Sequence, residues 1–82
     1  MKVEVRVYPK EGVLDPQGRA IASALGRLGH ETVSDVRAGK IFFIEVEGDD
    51  PVAVEAEARK MAEELLANTV IEGYDVRIAA QP

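Results

Sequence analysis

Valines at positions 3, 5 and 7 alternate with Glu4, Arg6 and Tyr8, the period-two signature of a strand with one buried face. A connection rich in Pro and Gly follows, Tyr8–Gly18, reading YPKEGVLDPQG. Asp15 offers an N-cap oxygen and Pro16 suits the first helical position, where a missing N–H costs little. Ile21, Ala24, Leu25 and Leu28 then recur at i, i+3, i+4 and i+7, one stripe of a helix that Gly29 stops. Val33, Val36 and their neighbours read as a second, more polar strand. Ala38-Gly39-Lys40 reads as a tight hairpin turn and Ile41–Glu47 as the returning strand. In that strand Phe42, Ile44 and Val46 share one face, and Ile41, Phe43 and Glu45 the other. A second helix opens at Asp50-Pro51, with Val54, Ala58, Met61, Ala62 and Leu65 as its apolar stripe and Glu55→Arg59 as an exposed i,i+4 pair. Asn68 ends it, and Tyr74, Val76 and Ile78 line one face of a last strand.

The order β-α-β-β-α-β predicts an α+β fold: a split two-layer sandwich, with a four-stranded antiparallel sheet and two helices on one face. Each half holds a strand, an Asp-Pro helix start and a further strand, so a structural pseudo-repeat is expected within one domain, residues 1–82. The helices would cover the valine face. The opposite face would carry Glu4, Arg6, Tyr8, Ile41, Phe43, Glu45, Asp75 and Arg77. Aromatic and aliphatic groups among complementary charges resemble a protein interface more than a plain solvated face. Arg6, Tyr8, Ile41, Phe43 and Arg77 are therefore the expected self-association residues, through this face or an adjacent strand edge.

Composition narrows the function. With 46% apolar and 30% charged residues the chain is of globular type, and at 82 residues it gains from burying further surface in an oligomer. Fifteen acidic residues against ten basic give a net charge of −5, and no basic run supplies the phosphate neutralisation that nucleic-acid binding needs. Ile41-Phe42-Phe43-Ile44 is the longest strongly apolar run, far too short to span a bilayer. The expectation is a cytoplasmic protein with neither nucleic acid nor membrane as partner. The absence of cysteine removes disulfides, thiolate zinc sites and a cysteine nucleophile.

No catalytic constellation stands out. His30, the only histidine, follows Gly29 in a predicted loop and reads as a solvated side chain. Ser23 and Ser34 lack a histidine pattern for activation. Glu55, Glu57, Glu63 and Glu64 solubilise an amphipathic helix, and Asp49-Asp50-Pro51 is a helix start rather than a metal pair. No Walker-type glycine loop occurs. Lys40 and Arg37 fit turn residues as well as contacts to a phosphate or a partner carboxylate.

Four segments in order supply a further clue: Tyr8–Gly18; Ala24-Leu-Gly-Arg-Leu-Gly29; Asp35-Val-Arg-Ala-Gly-Lys40; and Leu65-Leu-Ala-Asn-Thr-Val-Ile-Glu72, with Tyr74 just beyond. Together, from Val3 to about Val76, they resemble the PurS family, the small subunit of phosphoribosylformylglycinamidine synthase. One departure is Thr69, where the family commonly has proline, which bears on the stiffness of that turn. The resemblance implies a non-catalytic assembly subunit in purine biosynthesis. A glutaminase subunit releases ammonia through a cysteine thiol. A larger synthetase subunit uses ATP and Mg²⁺ to convert formylglycinamide ribonucleotide to formylglycinamidine ribonucleotide. A chain without cysteine or a nucleotide motif would bridge the two and support a protected ammonia path, itself a dimer or tetramer binding no cofactor alone. On that reading the partner-interface candidates are Lys10, Glu11, Asp15, Gln17, Arg37, Lys40, Asn68 and Glu72. The rival class is a stand-alone regulatory module that binds a small metabolite at the Lys10–Gly18 loop.

Overall fold

The computed structural model describes residues 1–79; residues 80–82, part of the expected single domain, lie outside the described residues. Strand β1 (Lys2–Pro9) is the centre of an antiparallel sheet, flanked by β2 (Lys40–Glu45) and β3 (Glu72–Ile78) in the order β2-β1-β3. Register follows from the alternation. Val3 lies between Ile44 and Ile78, and Val5 between Phe42 and Val76. One face thus collects the branched and aromatic residues that sheets favour. Val3, Val5 and Val7 are 1%, 0% and 2% exposed. Beyond β2, Val46 exchanges backbone hydrogen bonds with Met1, at 2.7 and 2.8 Å.

Helix α2 (Pro51–Met61) starts as the sequence requires. Asp50 Oδ1 accepts from the Val52 N–H at 3.1 Å, and Pro51 occupies the first turn. Its buried residues, Val54 and Ala58, join the valines of β1 in one core with Val46, Ala62 and Ala67. Glu55 and Arg59 pair at 3.1 Å, an exposed i,i+4 contact of about 0.3–0.5 kcal/mol. The helix continues into a single π-helical turn, Ala62–Leu66. There Tyr74 donates to Glu63 Oε1 at 2.7 Å, fastening the turn to β3. That hydrogen bond to a carboxylate, helped by desolvation, raises the phenol pKa above its ordinary 10.0.

Three expectations are corrected. Leu65, assigned to the apolar stripe, is 83% exposed, while Leu66 packs against the core. The wider π-turn holds an additional residue, so the helical phase slips and the neighbouring leucine takes the inward position. Second, among the described residues the sheet has three strands, not four: residues 33–39 are irregular and the Ala38-Gly39-Lys40 hairpin does not form. The Ala38 N–H, which a hairpin would commit to strand pairing, is held instead by Asp15 Oδ2 at 2.7 Å. Third, only α2 covers the sheet. Helix α1 (Pro16–Arg27) contributes no residue to the core, and its one buried position is Gly18.

The two halves of the chain are therefore not equivalent. The first sends α1 and its return segment outward as an arm, and the molecule measures 48 × 32 × 14 Å. Its radius of gyration is 16.0 Å, against about 12 Å for a compact chain of this length.

The phase slip sets a test. In the isolated chain Leu66→Ala should cost roughly 2 kcal/mol by denaturant unfolding, whereas Leu65→Ala should stay within about 0.5 kcal/mol. An uninterrupted α-helix predicts the reverse order.

Candidate functional site

The end of β1 and the starts of β2 and β3 meet at one end of the sheet, and most of the predicted partner-binding residues gather there. Lys10 is the hub. Its N–H donates to the Ile71 carbonyl at 2.9 Å, and its ammonium Nζ to the Thr69 carbonyl at 2.6 Å. Its own carbonyl accepts from Arg37 Nη2 at 2.8 Å. One residue thereby joins the strand end, the turn before β3 and the return leg of the arm.

Asp15 closes the arm. Oδ1 accepts from the Gly18 N–H at 3.0 Å, an N-cap bond, while Oδ2 takes the Ala38 N–H from 23 residues away. These two backbone donors, with Arg37 adding a weaker attraction, hold the carboxyl below its ordinary pKa of 3.8 against the opposing effect of desolvation. Gly18 is required at this point. A Cβ there would stand against the Val36 carbonyl and 2.6 Å from Asp15 Oδ2.

The segment from Asn68 to Glu72 is a closed turn. Asn68 N–H donates to Glu72 Oε1 at 2.8 Å, its side-chain oxygen accepts from Val70 N–H at 3.2 Å, and its carbonyl accepts from Glu72 N–H at 2.7 Å. These bonds give the turn a shape that proline at position 69 would otherwise stiffen. The other candidates are more open. Glu11 and Gln17 are exposed, and Lys40 lies with its Nζ 5.7 Å from the centre of the Phe42 ring. Sequence reasoning missed the apolar component. Leu14 is 66% and Val70 81% exposed, and both are flanked by the polar candidates. Each was legible only as a loop residue, because no periodicity assigns a loop side chain to a face.

The open sheet face is arranged as the alternation predicts. Arg6 lies between Ile41 and Asp75, and Glu4 between Phe43 and Arg77. Tyr8 spans its partner Gly73, where an added Cβ would come within 2.8 Å of the ring, and its hydroxyl reaches Asp75 at 3.5 Å. Ile41 and Phe43 are 49% and 75% exposed. The self-association candidates thus form one surface, which adjoins the Lys10 end where Arg6, Tyr8 and Ile41 line a shallow cavity with Arg37 and Lys40.

The arrangement offers shaped carbonyls, charges and apolar groups rather than a reacting pair. Its pH response is specific. A carboxyl with a depressed folded pKa stabilises above its unfolded value and loses that contribution as pH falls through the folded one. The amide shifts of Gly18 and Ala38 should therefore titrate together with a midpoint below 3.8. Asp15→Ala should abolish that titration and leave both amides rapidly exchanging at neutral pH.

Comparison with known proteins gives this geometry its context. The family model PurS, described as phosphoribosylformylglycinamidine (FGAM) synthase, matches residues 2–80. The phosphoribosylformylglycinamidine synthase subunit PurS of Mycobacterium leprae is 52% identical over 77 residues, 94% of either chain. Among solved structures, Methanocaldococcus jannaschii PurS superposes with a TM-score of 0.87 at 36% identity, covering 99% of this chain and 98% of that one. A chain of the Thermotoga maritima PurLQS structure gives 0.83 at 34% identity, covering 93% of both. The Mycobacterium leprae relative is named as a synthase subunit and the M. jannaschii protein as a subunit of formylglycinamide ribonucleotide amidotransferase, neither as a stand-alone regulatory module. Matched along nearly its whole length in sequence and in fold, the chain belongs to the PurS family.

Proposed function

We propose that this chain is the small, non-catalytic subunit of a phosphoribosylformylglycinamidine synthase acting in cytoplasmic purine biosynthesis. It holds a glutaminase subunit against a synthetase subunit for the ATP- and Mg²⁺-dependent conversion of formylglycinamide ribonucleotide to formylglycinamidine ribonucleotide. The observation that carries the reading is the full-length likeness to a chain of the PurLQS structure. The chain's own chemistry agrees with it: there is no cysteine for glutamine hydrolysis and no phosphate-cradling glycine loop. Its two kinds of surface suit assembly. The end around Lys10, Arg37, Lys40, Asn68 and Glu72, with Glu11, Asp15 and Gln17 beside it, presents charge around exposed Leu14 and Val70, the mixture found at protein interfaces. The open sheet face of Arg6, Tyr8, Ile41, Phe43 and Arg77 serves contact between copies.

Bridging has a physical purpose. Ammonia released into water is diluted and protonated, so its transfer needs two sites held together with water excluded from the path between them. The subunit contributes by position alone, and cofactors are bound by the other subunits.

Reconstitution tests this. Mixing the chain with glutaminase and synthetase subunits, glutamine and ADP–Mg²⁺ should give a ternary complex by light scattering that is lost when the chain is omitted. Lys40→Glu combined with Glu11→Lys should reduce glutamine-dependent turnover at least tenfold while sparing turnover with added ammonia, which bypasses the bridge. Equal loss of both activities, or loss of neither, would overturn the assignment.

A further inference from the structure

The shallow cavity where the open sheet face meets the Lys10 end differs in charge from the rest of the molecule. The chain carries −5 overall, yet Arg6, Arg37 and Lys40 all line this cavity and no acid does. The cavity between α1 and its return leg is unlike it, because Asp15 and Asp35 stand there beside Arg19 and Arg37. Nor do carboxylates nearby neutralise the three cations. Among the described residues the one ion pair is Glu55–Arg59. Asp75, the cross-strand neighbour of Arg6, faces the Tyr8 hydroxyl at 3.5 Å. Asp15 attracts Arg37 only weakly, its oxygens being held by the N–H groups of Gly18 and Ala38. Glu11 and Asp35 border a separate recess on the far side of Arg37. Like charges gathered without a counter-charge repel one another, and a bound anion would remove that cost.

Backbone geometry builds the cluster. Arg6 comes from the central strand, in register with Ile41. Arg37 comes from the irregular return leg, which Gly39 lets lie directly against β1. A Cβ at Gly39 would stand 2.5 Å from the Val7 carbonyl oxygen. The Lys10 carbonyl then anchors the Arg37 guanidinium through one N–H and leaves its other donors unspent. A guanidinium held in this way loses little further freedom when it binds. Lys40 belongs to the rim, with its ammonium over the Phe42 ring. Tyr8 and Ile41, both part-exposed, supply an apolar wall beside the cations.

The chemistry of the walls selects the ligand. Planar guanidinium groups present paired donors that match the oxygens of a phosphate. A phosphate ester carries about −1.5 to −2 charges at pH 7, a better counterpart for three cations than the single charge of a carboxylate. The cavity measures about 340 Å³, within the range of about 300–1,000 Å³ typical of small-molecule sites, so it has room for more than the phosphate group. We propose that this cavity binds a small phosphate monoester. The phosphate lies between Arg6 and Arg37, with Lys40 adding charge from the rim, and the organic part rests against Tyr8 and Ile41. The site belongs to this chain alone, and the proposal does not rest on the assembly reading.

The test titrates the full ¹⁵N-labelled chain, at low salt, with ribose 5-phosphate. By about 10 mM ligand the amides of Tyr8, Gly39, Lys40 and Ile41 and the Nε–H groups of Arg6 and Arg37 should shift and saturate. Inorganic phosphate should bind several-fold more weakly, because it lacks the part that touches Tyr8 and Ile41. Acetate should bind more weakly still, by roughly tenfold or more against the ester. Arg6→Gln should weaken the ester roughly tenfold with the other sheet amides in place. Arg37→Lys, which keeps the charge and loses the fork, should weaken it as well. Arg27→Gln removes a positive charge from α1 outside the cavity and should leave binding unchanged. An absence of saturable shifts would overturn the site, as would equal losses from Arg6→Gln and Arg27→Gln. Acetate or inorganic phosphate binding as tightly as the ester would overturn the ligand class.

Discussion

A single carboxylate decides the outline of this molecule. Asp15 caps α1 through Gly18 and simultaneously takes the N–H of Ala38, so the helix start and the chain's return are bound to each other. Because the return leg is committed to α1, no hairpin supplies a fourth strand, and because α1 is tied to that leg, it leaves the core to α2 alone. The sheet survives this because β1 is central and complete. Its three valines face partners on both sides and are sealed by α2. The fold is thus a small closed body with an open limb, coupled through the bonds at Lys10, Asp15 and Arg37.

The body was legible from the sequence because its signals are short-range and repetitive. Alternation placed Val3, Val5 and Val7 inward and Ile41 and Phe43 outward, and the register confirms each. Asp50-Pro51 and Asp15-Pro16 marked both helix starts. The placement of the limb was not legible. The pattern of α1 says that one side of the helix needs cover, and pattern alone cannot say which sheet provides it. The Asp15–Ala38 bond joins residues 23 apart and leaves no periodic trace. Leu65 was misplaced for a related reason: a helical stripe assumes a constant number of residues per turn, and the π-turn breaks that assumption within one cycle.

The site was read more coarsely than the fold. Lys10, Asp15, Arg37, Asn68 and Glu72 do converge at one end, but several spend their polar groups on the chain itself. Asn68 and Glu72 shape a turn, and Lys10 fastens three segments. In the proposed bridging role such residues would act by fixing backbone and carbonyl positions as much as by touching a partner. The exposed apolar groups among them, Leu14 and Val70, have no periodicity and became visible only with the fold.

The π-helical turn at Ala62–Leu66 has a consequence for how this family can vary. A helix that absorbs one residue as a local bulge, rather than threading it onward, keeps everything downstream in register: Ala67 stays buried and β3 still meets β1. A residue taken up there changes which leucine faces inward, Leu66 rather than Leu65, and leaves the rest of the core as it is. The outer surface of the helix is therefore free to drift, and adapt to a drifting neighbour, on a core that need not change with it.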